Sequence, residues 1–139
     1  GVSGHSLGGC VAYYLCRCFE EFSCGINIDG GLFGDYPDTV MEKPFFQISC
    51  KDNINVETRA LLNTIAPTYH VIFDHMKHLG FTDAKFYISM KALVGKMNPD
   101  DMYDNLSYCH NTFFDKYLRG LEKEPVGLGT DGISYIKVR

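Results

Sequence analysis

The chain begins as strand, G-x-S-x-G, helix: GVSGHSLGGCVAYYLCRCFEEF brings an extended stub to a long helical segment through one glycine-bracketed serine. Few local patterns limit a fold as tightly, because so short a turn fixes where strand and helix can lie. Leu7, Cys10, Val11, Tyr14, Leu15, Cys18, Phe19 and Phe22 recur at three- and four-residue steps. They predict an amphipathic helix over 7–22 with that stripe as its buried face. Gly4 and Gly8 flank Ser6, and in a turn this tight a β-carbon at either position is expected to collide with neighbouring chain.

The alternation continues downstream. CGINID (24–29) reads as a short apolar strand ended by the turn-rich GGLFGDYPD, and PFFQISC (44–50) as a second buried strand. NVETRALLNTI (55–65) predicts a helix, YHVIFD (69–74) a third strand, and AKFYISMKALVGK (84–96) a shorter helix. NPDDMYDNLSYCHNTFFDKYLRG (98–120) announces its own start: Asn98 can cap, Pro99 suits the first turn, and Asp100 and Asp101 suit the positive end of the helix dipole. Met102, Leu106, Cys109, Phe113, Tyr117 and Leu121 supply its apolar stripe, and the closing EPVGLGTDGISYIKVR predicts an extended tail.

Strands alternating with helices imply an α/β fold: a mostly parallel sheet with helices on both faces. Three complete strands and the stub make half of such a sheet and would leave an apolar edge bare. Residues 1–139 are therefore expected to form the C-terminal part of a single larger domain, its upstream half lying outside this sequence.

Bulk properties narrow the function classes. Hydrophobic residues make up 45% and aromatics 14%, as in a folded globular domain. A net charge of −4 provides no general attraction to nucleic acid or to an anionic membrane. No apolar run approaches the roughly 20 residues of a membrane helix. The six cysteines (Cys10, Cys16, Cys18, Cys24, Cys50, Cys109) lack the paired spacing of a zinc site and are expected to be reduced thiols. Reduced thiols lean towards an intracellular setting, although a chain starting at Gly1 leaves a leader segment open.

A strand-to-helix turn of the G-x-S-x-G type lifts the serine hydroxyl above the sheet and aims the first helical amides at a reacting carbonyl. Ser6 is the candidate nucleophile, and the amide of Leu7 is the natural oxyanion donor. A serine hydroxyl needs a base, and the base an orienting carboxylate, in the chain order serine, acid, histidine. Five histidines compete. His5 is constrained by the turn, His70 lies in a strand and His110 in the last helix, which leaves His75 and His78 in DHMKHLGFTD, with His78 preferred. Among the acids, Asp29 ends one strand and Asp52 follows the next, and both remain open; Asp35, Asp38, Asp74 and Asp83 read as loop acids.

GHSLGG, NIDGGLFGD, KPFFQIS and HLGFTD, taken in this order, resemble the platelet-activating factor acetylhydrolase family of α/β-hydrolases. The similarity runs from Gly4 to about Leu121. It implies an α/β-hydrolase fold with Ser6 as nucleophile, Asp29 as acid and His78 as base, Phe81 and Asp83 completing an H-x-x-F-x-D match. The chain departs from the pattern at Leu7, often Phe in the family, and at His75, where a small residue is common. The implied activity is hydrolysis of short or oxidised acyl esters of phospholipids, without calcium or any other cofactor, with contact to lipid aggregates through loops or the upstream part. Alternatives are a general carboxylesterase, dienelactone-hydrolase-like protein or thioesterase using Ser6, His78 and Asp52. A non-catalytic hydrolase-like module is the reading from another class; its mark would be a broken triad, and none is broken here.

Overall fold

The computed structural model describes residues 1–34, 40–53, 63–125 and 128–137. Strands β1 (Val2–His5), β2 (Gly25–Ile28), β3 (Phe45–Cys50) and β4 (Thr68–Phe73) are parallel neighbours in chain order. The tail adds β5 (Ile133–Lys137), antiparallel to β4, so the predicted extended tail is a fifth strand. In register, His5 lies beside Ile28, Ile28 beside Ile48 and Cys50 beside Phe73. Ser6, Asp29, the 3₁₀ turn Lys51–Asn53 and the 3₁₀ turn His78–Phe81 therefore follow strand ends along one rim of the sheet.

Strands buried on both faces are apolar at nearly every position, and all six residues of β3 and of β4 are buried. On one face Ile26, Phe46, Ile48, Tyr69, Val71 and Phe73 pack against Met102, Cys109 and Phe113 of a helix at Pro99–Arg119. On the other, Phe45 meets Tyr13 and Cys16 of helix α1 (Leu7–Cys18), with the Tyr13 and Phe45 rings edge-on at 5.2 Å. Helices thus cover both faces, as the alternating pattern predicts.

Helix α1 ends at Cys18, four residues before the predicted Phe22, and its buried face differs from the predicted stripe. Gly9, Cys10, Ala12, Tyr13 and Cys16 face inward, whereas Leu7, Val11 and Tyr14 are exposed. The helix is apolar around most of its girth, so periodicity leaves its rotation open, and the approach of Gly9 to β2 sets it. The single helix expected over 84–96 is two short ones, α2 (Ala84–Tyr87) and α3 (Lys91–Val94), separated by extended backbone at Ile88 and Met90. The buried amine of Lys85 in α2 donates to the carbonyls of Val94 (3.2 Å) and Gly95 (2.8 Å), stapling the two pieces together. The last helix, α4 (Pro99–Arg119), follows its signals: the Asn98 side chain accepts from the Asp100 amide at 2.8 Å, and Gly120 closes the helix in the left-handed conformation.

The helix predicted over 55–65 lies mostly outside the described residues; at its end Thr64 makes a parallel bridge to Met41. All six cysteines are thiols with no disulfide among them, and all but the half-buried Cys18 are buried. No described helix is long and apolar enough to cross a membrane.

The α1 face of the sheet carries a polar row, Asn27, Gln47 and His70, adjacent in register across β2, β3 and β4. His70 is 3% exposed and its Nε2 lies 3.1 Å from the Ser49 hydroxyl; burial pushes its imidazole down to about 4. The unfolded chain binds a proton at this residue below about pH 6.5, whereas the folded chain does not until about pH 4. Stability is accordingly complete above pH 6.5 and falls as the pH drops towards 4. A loss of roughly 2 kcal/mol between pH 8 and pH 5 is expected from this group. Urea midpoints across that range should show the slope in the parent chain and a shallower one in His70→Asn; an unchanged slope would count against the assignment.

Candidate active site

The rim of the sheet is built from two turns that share atoms. At the first, Ser6 leaves β1 with φ 58° and ψ −124°, a backbone strained for a residue with a side chain. Its amide donates to the Ile28 carbonyl (3.0 Å), and its carbonyl accepts the amides of Gly9 (3.0 Å) and Cys10 (3.2 Å). At the second, Asp29 leaves β2 with φ 52°, its amide donating to the Ile48 carbonyl at 2.6 Å. Between them lies the buried amide of Asn27, which both donates to and accepts from the backbone of Gly30, each at 2.8 Å.

Glycine is required where these turns meet. A β-carbon on Gly4 would sit 2.2 Å from the Gly8 carbonyl, and one on Gly9 1.9 Å from Asn27 Oδ1. One on Gly8 would enter open space, with nothing within 4 Å. The collision expected at both flanks of Ser6 therefore holds at Gly4 and moves from Gly8 to Gly9. The reason is direction: Gly8 faces outward on α1, and Gly9 faces β2.

His78 opens the 3₁₀ turn that follows β4, close beside both turns. Its Nε2 lies 2.8 Å from Ser6 Oγ and its Nδ1 2.7 Å from Asp29 Oδ2. The carboxylate of Asp29 is fully buried, whereas the imidazole side chain is 40% exposed. Asp29 Oδ1 also accepts the Cys50 amide (2.7 Å), and Oδ2 accepts from Asn53 Nδ2 (2.9 Å) and the Cys50 thiol (3.4 Å). Such a chain of hydroxyl, imidazole and carboxylate can move a proton from the hydroxyl to the ring while the carboxylate holds the tautomer. Leu7 begins α1, so its amide has no acceptor within the helix, and Leu7 lines the same opening.

That opening is a cleft of about 400 Å³ lined by Ser6, Leu7, Asp29, Phe33, Asn53 and His78. Leu7 (71% exposed) and Phe33 (74%) give it an apolar rim, the Phe33 ring lying over Gly31. The neighbouring Leu32 packs inward with Tyr13 and Phe45.

The rival residues are elsewhere. Asp52 is exposed in the 3₁₀ turn after β3 and pairs with Lys77 at 2.5 Å, an interaction that raises the lysine's affinity for its proton. His75 turns its ring to Gly132, and its carbonyl accepts the Lys96 amide at 2.7 Å. His110 packs edge-on against Phe114, burial lowering its basicity. Asp74 bonds through its amide to the Gly132 carbonyl, and Asp83 lies exposed just before α2. Asp35 and Asp38 lie outside the described residues. Phe81 is buried edge-on to Phe73.

His5 has a part that its place in the sequence did not suggest. Its Nε2 donates to the His78 carbonyl at 3.1 Å, and the two ring centroids lie 4.7 Å apart with the planes tilted by 30°. Burial, the largest influence, lowers its proton affinity and favours the neutral ring. Asn27, Cys50 and Asn53 were also not singled out by sequence reasoning; an asparagine inside an apolar strand was the one available signal, and Asn53 gave none.

No family model matches this sequence, and no curated protein is similar to it by sequence. Among solved structures, a ferulic acid esterase from Streptomyces cinnamoneus superposes over 99% of this chain with a TM-score of 0.86 at 20% identity. The chain covers 46% of that protein's length. The fold is that of the α/β-hydrolases.

The glycine geometry gives a direct test of this junction. Gly8→Ala should fold normally, with α1 stabilised by up to about 1 kcal/mol from better helix propensity. Gly9→Ala should lose roughly 3 kcal/mol through overpacking against Asn27. Equal urea midpoints for the two variants would contradict the close approach of α1 to β2.

Proposed function

We propose that this chain carries the nucleophile, acid and base of a serine hydrolase that cleaves carboxylic esters through an acyl-enzyme. The unbroken contact chain from Ser6 Oγ through His78 to Asp29 carries the reading, and the likeness to an esterase supports it. Ser6 Oγ attacks the acyl carbonyl as its proton passes to His78 Nε2. Asp29 accepts the hydrogen bond from Nδ1 and so keeps the ring oriented. The oxyanion of the tetrahedral intermediate accepts the Leu7 amide. His78 then protonates the departing alcohol, and the resulting acyl-enzyme is hydrolysed by water that gives its proton to the same nitrogen.

For the substrate, the joint order of GHSLGG, NIDGG and HLGFTD supports short or oxidised acyl groups of phospholipids, in the manner of platelet-activating factor acetylhydrolases. A second reading, an aromatic acyl ester such as a feruloyl ester, is favoured by the ring of Phe33 at the cleft rim and by the named activity of the similar structure. The exposed face of α1, and β1 having one pairing partner among the described residues, support the reading of these residues as the C-terminal part of a larger hydrolase domain.

A fluorophosphonate probe should label Ser6 in the full chain and fail to label Ser6→Ala. Asp29→Asn should lower kcat by about 10⁴-fold, while Asp52→Asn stays within about threefold of the parent because its partner is a surface lysine. The reverse order would move the acid to Asp52. A folded protein that takes no label would return the chain to a non-catalytic binding module.

Acyl preference follows from comparing an acetylated phospholipid, p-nitrophenyl acetate and ethyl ferulate. Phe33→Ala should raise KM for the preferred bulky acyl ester by about tenfold, from lost apolar contact, with p-nitrophenyl acetate little affected. A uniform effect on all three esters would exclude Phe33 from the acyl side.

A further inference from the structure

The Asp29 carboxylate has no access to solvent, so its charge has to be met by donors within the fold. Oδ1 has the Cys50 backbone amide. Oδ2, the oxygen that meets the base, takes three donors: His78 Nδ1, the Asn53 amide and the Cys50 thiol. Among the described residues Oδ1 has this one anchor, which by itself leaves the carboxylate free to pivot about its Cβ–Cγ bond, a soft torsion. The two side-chain donors at Oδ2 oppose that pivot from the β3 side.

We propose that Asn53 and the Cys50 thiol are positioning residues for the base, fixing the plane of the Asp29 carboxylate so that Oδ2 stays in line with His78 Nδ1. The inference rests on the reading of Ser6, His78 and Asp29 as a hydrolytic triad. It explains how one short turn is used in two directions. Lys51–Asn53 sends the Asp52 carboxylate outward to Lys77 and the Asn53 amide inward to Asp29. The opposite arrangement would set two carboxylates against each other in a buried site, where only one could ionise. Cys50 fits the same part. It is 1% exposed, and burial together with the charge of Asp29 pushes its thiol up to about 12, so it keeps its proton and donates.

The test separates donation from packing. The full chain and the variants Asn53→Ala, Cys50→Ala and Cys50→Ser are compared for kcat, KM and melting temperature on p-nitrophenyl acetate. Asn53→Ala should lower kcat roughly tenfold to a hundredfold, the size of one hydrogen bond to a charged group, with KM within about twofold. Cys50→Ser keeps a donor and should hold kcat within about threefold, even where a buried hydroxyl lowers the melting temperature. Cys50→Ala has none and should lose about tenfold or more. Parent-like kcat in Asn53→Ala, or a Cys50 series in which kcat simply follows melting temperature, would overturn the proposal. Should the Cys50 variants fail to fold, Asn53→Ala alone decides, because its side chain lines the open cleft. Absence of Ser6 labelling in the parent would instead remove the triad reading itself.

Discussion

Two residues with side chains, Ser6 and Asp29, hold left-handed backbone at adjacent points of the rim. Each such conformation costs about 1–3 kcal/mol and persists only where surrounding structure over-determines it. Here the determinant is the contact of α1 with β2. Gly9 rests on Asn27, Asn27 clasps both backbone groups of Gly30, and the α-carbon of Gly30 lies against the Ser6 carbonyl with no room for a β-carbon. The amides of Ser6 and Asp29 are tied in turn to the strands beside them. Hydroxyl and carboxylate are therefore aimed by backbone geometry, and the histidine needs only to bridge them.

That junction also explains what could and could not be read from sequence. The order of the strands, the helices that flank them at 7–18 and 99–119, the caps of α4 and the turns that carry Ser6 and His78 were legible because each has a local signature. The rotation of α1 was not, since Leu7, Val11 and Tyr14 are as apolar as the Cys10, Ala12 and Tyr13 that are buried. Only the approach at Gly9 distinguishes the two faces, and it depends on Asn27, eighteen residues away. Residue spacing likewise left Asp29 and Asp52 open, for both end strands on the same rim. Their different fates follow from tertiary surroundings: one is enclosed by four donors, the other faces a lysine in solvent. Asn53 carries no sequence signal at all, because an amide near a strand end is ordinary until the carboxylate it meets is known.

The histidines were sorted by the same physics. His70 is held neutral by burial within a polar row, and His110 is lowered by packing among helix side chains. His5 shares the rim but donates a hydrogen bond from Nε2 to the His78 carbonyl, which makes it a brace for the turn that carries His78. His78 alone among them touches a hydroxyl on one nitrogen and a carboxylate on the other. Its partial exposure suits the proposed reaction, in which the base accepts and returns a proton in each cycle.

The start of α1 adds a last electrostatic element. Helices commonly place an acidic residue in their first turn, where it offsets the positive end of the dipole and takes up the unpaired amides. Here the first turn is Leu7, Gly8 and Gly9, with no acid and no side-chain cap from Ser6. No acid of its own first turn offsets the field of the helix at the point where, in the proposed reaction, a carbonyl oxygen becomes negative. A carboxylate in that turn would stabilise the resting helix by about 0.3–1 kcal/mol, and it would repel the charge that the site has to stabilise. The chain lacks that cap where it would oppose the proposed reaction and has one at α4, whose start at Asn98 and Pro99 has a side-chain cap and two acids.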